Sequence, residues 1–116
     1  MRLIIAGSRH LTDIDSEGIQ AFINYLGIEN ITEVVSGCAR GIDTAGEDWA
    51  KENNIPVKPF PAEWDLYGKP AGHIRNKQMA EYGDELLIIW NGKSKGSFNM
   101  KQNMEKLGKT VHEGTF

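Results

Sequence analysis

The chain has 116 residues, 40% hydrophobic and 25% charged, with a formal net charge of −3. That length suits one domain around one core, and the balance is that of a globular protein rather than a disordered one. No run reaches the roughly 18 apolar residues of a membrane span. The acidic total argues against a surface that grips nucleic acid throughout and leaves room only for a local basic patch.

Taken in chain order, Arg2 to Ala6 is a short apolar run closed by Gly7, the pattern of a buried strand. Preceded only by Met1, it is too short for a signal peptide. From Thr12 the period lengthens: Ile19, Phe22, Ile23 and Leu26 recur at helical spacing. Thr12 or Asp13 is placed to cap the start, with Asp15 and Glu17 in the first turn and Gly27 after the end. Glu33 to Ser36 reads as a second strand. Ile42, Ala45, Gly46, Trp49 and Ala50 form one face of a second helix, which Asn53 and Asn54 end. Pro56 to Phe60 is a third strand. Pro61 to Gly72 reads as a loop of about a dozen residues, a length at which loops tend to be functional; Trp64 and Tyr67 are suited either to stack on a base or to cover a sheet edge. A helix covers Ile74 to Tyr82. "ELLIIW", Glu85 to Trp90, is the most apolar strand. Met100, Met104 and Leu107 line a last helix ending at Gly108, and Lys109 to His112 makes a short final strand. Strands alternating with helices imply parallel pairing. The expected fold is therefore a single-domain α/β structure over residues 1–116, an open parallel sheet of about five strands with helices on both faces, "RLIIA" and "ELLIIW" central.

In such sheets ligands bind beyond the carboxyl ends of the strands, where strand order reverses. Three glycine-bearing turns leave strands at that end. They are Gly7-Ser8-Arg9, the segment Ser36-Gly37-Cys38-Ala39-Arg40-Gly41 leading to Asp43, and Asn91 to Asn99 with Gly92, Ser94, Gly96 and Ser97. Helix N-termini offer unpaired N–H groups to phosphate, and glycine lets the backbone approach it. Arg9 and Arg40 add forked donors that match phosphate oxygens. Asp43 is placed to cap its helix or to accept from a ribose hydroxyl. None of the turns has the spacing of a P-loop or of the dinucleotide fingerprint. Cys38 sits beside a helix start, where a thiolate can be favoured, but no histidine partner is assigned by spacing. A lone cysteine excludes an internal disulfide and fits a cytoplasmic compartment. His10, His73 and His112 have no metal-ligand spacing, so no metal site and no cofactor are expected.

"SGCARGID" resembles the SG-x-ARGID motif of the DNA-processing protein A (Smf) family, and "GSR" after the first strand is similar to that family too. Within the wider SLOG superfamily, the small DUF2493 or YspA-like proteins match best. They carry GSR, SG-x-A-x-G-x-D, a helix with Arg-Asn, and W-[ND]-G-x-S-x-G, here Gly7 to Arg9, Ser36 to Asp43, Arg75-Asn76 and Trp90 to Gly96. The resemblance implies a Rossmann-like domain binding nucleotides or nucleotide-derived ligands, with Arg75 and Asn76 among the site residues, and a homodimer or higher homo-oligomer. The chain departs from the LOG phosphoribohydrolases: Met100 stands where their catalytic Glu would fall, and nothing in the spacing selects Glu63, Asp65 or Asp43 to replace it. Binding of a nucleotide or ADP-ribose-type ligand, as a sensor or sequestering module, is the leading expectation. Cleavage of a base–ribose bond in a nucleoside monophosphate is the alternative, and single-stranded DNA binding a weaker one.

Overall fold

The computed structural model describes residues 1–115. β1 (Arg2–Gly7), β2 (Glu33–Ser36), β3 (Val57–Pro59), β4 (Glu85–Trp90) and β5 (Thr110–Thr115) form one sheet in the order β3-β2-β1-β4-β5. Every neighbouring pair is parallel. Alternation along the central strands divides the apolar side chains between two cores. Leu3, Ile5, Leu87 and Ile89 face helices α1 (Ser16–Leu26) and α2 (Ile42–Glu52), with Ile19, Ile23, Ile42 and Trp49. Ile4, Ala6, Leu86, Ile88 and Trp90 face α4 (Ala71–Tyr82) and α5 (Lys95–Lys106), with Met79, Met100 and Met104. Because both faces are covered, β1 and β4 read as unbroken apolar runs. Each fully buried Leu or Ile contributes about 1.5–3 kcal/mol over an exposed one. Among the described residues, no helix is long and apolar enough to cross a membrane.

β3 is shorter than the expected Pro56 to Phe60, spanning Val57–Pro59, and four further boundaries differ from the sequence reading for a physical reason. The cap of α1 is Asp15, whose carboxylate accepts from the Gly18 amide at 3.1 Å, not Thr12 or Asp13. Ile14 is buried in the α1/α2 core, which draws the chain inward before the helix starts. The Pro61–Gly72 segment is not wholly loop: it holds a single helical turn, α3 (Trp64–Tyr67), and the first residues of α4, which starts at Ala71. In the third glycine-rich segment α5 already begins at Lys95, so Gly96 and Ser97 lie in its first turn, with Ser94 as cap. The final strand runs to Thr115 because its backbone pairs with β4 along the whole of that strand. Gly114 fits there because a methyl group would meet the Phe22 ring at 2.7 Å.

Candidate functional site

Chain connections run from β1 outward to β2 and β3, then return to β4 on the other side of β1. The order therefore reverses between β1 and β4, and a crevice opens beyond their carboxyl ends. Gly7 closes β1 there, and a Cβ at this position would lie 2.0 Å from the Ile89 carbonyl oxygen. Gly41 caps α2 with φ 75°, and a side chain on it would meet the Ser8 and Arg9 carbonyl oxygens at 2.7 and 2.8 Å. That glycine is what lets the second turn fold directly against the first.

Two adjacent residues of α4 tie the turns together. The Arg75 guanidinium donates through Nη1 to the Gly37 carbonyl and through Nε to Asn76 Oδ1 at 2.9 Å. Asn76, buried, donates in turn to the Gly96 carbonyl at 3.2 Å and to Asn99 Oδ1 at 3.1 Å. One Arg-Asn pair thus links the start of α2 to the start of α5. Ser36 is fully buried: its hydroxyl donates to Glu47 and accepts from the Cys38 amide at 3.1 Å. Asp43 is buried and accepts from the Ala39 amide at 3.3 Å. Burial pushes its carboxyl up to about 6, against the downward pull of that amide and of the Arg75 guanidinium. Burial also lowers the Arg75 pKa, a shift that neighbouring Asp43 opposes. A methyl group on Gly37 would sit 2.7 Å from Arg75 Nη1 and 2.9 Å from Asp43 Oδ2, so glycine there leaves space for both.

Three cavities meet around Arg9, which borders all of them. One, about 300 Å³, is lined by Arg9, Arg40, Arg75, the Gly37–Ala39 backbone, Pro61, Ala62 and Trp64. A smaller one, about 90 Å³, shares Arg9, Ala39 and Arg75 with it and also draws on Gly7, Asp43, Asn76, Ser94, Gly96 and Ser97. The third, about 470 Å³, is lined by Ser8, Arg9, His10, Leu11, Arg40, Asn91, Lys93 and Ser94. Of the candidate site residues, Ser36, Gly41 and Gly92 border none of the three; Ser36 braces its turn, and Gly92 supplies a left-handed bend at φ 82°. Gly41 lies behind the turn it shapes.

Several lining residues carried little sequence signal. Leu11 is one; Lys93 lies in the third glycine-rich turn, where it could ring the pocket or be solvated, and Pro61 and Ala62 open the long connection after β3. Trp64 had a signal, an aromatic in an overlong connection, and it does border the 300 Å³ cavity; Tyr67 does not. Cys38 also borders that cavity, with φ 63°. Burial, and then Glu47, push its thiol pKa upward, the opposite of what an activated thiolate needs. Of the histidines, His10 borders the largest cavity, and His112 pairs with Glu85 at 2.7 Å. The described residues contain no cluster of histidine, cysteine and carboxylate groups able to hold a metal ion.

An open, all-parallel α/β domain with its glycine turns gathered at the strand-order reversal defines the class of Rossmann-like folds. The profile of the YspA, cpYpsA-related SLOG family (YAcAr) matches residues 1–67, more than half of the chain, and the protein belongs to that family. The matched part carries β1 through α3 and so the first two glycine turns. The Gene 61 protein of Mycobacterium phage D29 is 32% identical over 81 residues, covering 65% of this chain and 65% of that protein. The chain thus spans just under two-thirds of that relative's length. No solved structure matches it.

Proposed function

We propose that this domain binds a nucleotide or ADP-ribose-type phosphorylated ligand in the crevice above β1 and β4, as a sensing or sequestering module. The observation that carries the reading is the meeting of three cavities on Arg9, with Arg40 and Arg75 beside it, and with Asp43 of the first turn of α2 and Gly96 and Ser97 of the first turn of α5 bordering the smallest. Forked guanidinium donors and unpaired helix amides are the two groups best matched to phosphate oxygens. Trp64, about half exposed, adds an apolar plate for a base.

Binding is favoured over base–ribose cleavage by the carboxylates. Hydrolysis of an N-glycosidic bond needs a carboxylate at the sugar. Met100 is buried in the α4/α5 core, and Asp43 is held by the Ala39 amide in the smallest cavity. The net charge of −3 disfavours a grip along a DNA strand.

Thermal-shift measurements with AMP, NAD, ADP-ribose and a single-stranded oligonucleotide test the reading. Ligands that bind only the native state raise the midpoint. ADP-ribose or a related nucleotide is expected to do so. Arg40→Ala, at an exposed position, is expected to weaken binding about tenfold or more without lowering the ligand-free midpoint. Stabilisation by none of the nucleotides overturns the proposal, and chromatographic appearance of free base would move it to the hydrolase.

A further inference from the structure

The two larger cavities have different chemistry. The 300 Å³ room has an aromatic and apolar wall of Trp64, Pro61 and Ala62. The 470 Å³ room lies across Arg9 and Arg40, which border both, and sets the polar groups of Ser8, His10, Asn91 and Lys93 beside an apolar patch at Leu11. No aspartate or glutamate lines either room. Among the described residues, neither Arg9, Arg40 nor Lys93 forms an ion pair. Ser8, which borders this second room, is buried, and its hydroxyl has no hydrogen-bond partner among the described residues, a costly state for a buried polar group. In a chain of net charge −3, such a concentration of uncompensated cations selects an occupant with more than one anionic centre.

On the reading that the site holds a nucleotide, we infer the ligand's class: a nucleoside diphosphate extended by a second sugar that bears its own phosphomonoester. Its base rests on Trp64, since every base offers a flat face to an aromatic ring. Its diphosphate crosses the ridge formed by Arg9 and Arg40, whose forks match paired oxygens. Its far phosphate sits by Lys93, whose ammonium suits a terminal phosphomonoester as a point charge. A mononucleotide fills only the first room and leaves Lys93, in the second, facing water.

Calorimetric titration of the full chain with AMP, ADP-ribose and ADP-ribose 1″-phosphate tests this. Affinity is expected to rise at each step, by about tenfold for the terminal phosphate. Lys93→Ala, in the exposed turn after β4, is expected to cancel that last gain. Lys106→Ala, which removes the same charge at the opposite end of α5, is expected to retain it. Ligand-free thermal midpoints verify that both variants fold. If AMP or ADP-ribose binds but the terminal phosphate adds nothing, the inference fails and the nucleotide reading stands. The inference fails in the same way if the gain survives Lys93→Ala or vanishes equally in Lys106→Ala. If none of the three ligands binds, both fall.

Discussion

Asp43 shows how much of the site is held by single residues whose partners are distant in sequence. Its place at the start of α2 is legible from the chain, and so is the glycine two residues before it. Its burial is not, because the cover comes from Arg75 on another helix, and the guanidinium that shields it also bonds the Gly37 carbonyl. Similarly, nothing in the order of residues announces that Ser36 would be spent on Glu47. A carboxyl that titrates near 6 when folded and near 3.8 when free keeps a proton in the native state that the unfolded chain has lost. Stability from this group is therefore full below pH 4, falls as pH rises through 6, and stays low above it, by about 3 kcal/mol in all. Asp43→Asn retains an oxygen to accept from Ala39 and has no proton to lose. Urea denaturation of the two proteins between pH 4 and 7 is expected to show that decline in the parent and a flatter profile in the variant. Equal slopes would mean that Asp43 ionises freely in the fold.

Secondary-structure elements divide into those whose signal is in their own residues and those defined by neighbours. β4 is legible end to end because helices cover both its faces and every position is apolar or at the margin. β5 is an edge strand in which Glu113 and Gly114 are poor strand formers; β4 supplies the pairing, Trp90 donates to Glu113 at 2.9 Å, and Lys101 bridges to Glu113 at 2.7 Å. α4 starts earlier than its apolar spacing suggests because Gly72 is not an interruption there: it lies in the helix's first turn, against the indole of Trp64. The short turn of α3 thus holds an aromatic ring against the first turn of α4, beside the crevice. Of three tryptophans, Trp49 and Trp90 are buried and Trp64 is half exposed. Nucleotide binding is expected to quench the longer-wavelength part of the fluorescence, and Trp64→Leu to abolish that change and cost about 1–3 kcal/mol of binding. An undiminished signal in the variant would assign the quenching to a buried ring.

At the level of the whole molecule, the strand order explains why the site residues are spread from Gly7 to Ser97. The crevice exists only once β4 has returned to pair with β1, so the first two turns cannot complete it by themselves. β1 and β4 are paired on both sides and buried on both faces, whereas β3 and β5 are edges. Hydrogen exchange is expected to leave the β1 and β4 amides protected longest and to release those of three-residue β3 first. The reverse order would place the stable nucleus away from the strand-order reversal. The position of Cys38 has a practical consequence of its own. It is the single thiol in the chain, exposed, and on the wall of the arginine-lined room. The protein consequently carries a native footprinting handle: an alkylating reagent meets one sulfur per molecule, at a rate that climbs later with alkalinity than for a free thiol, and an occupant in that room shields it from the reagent.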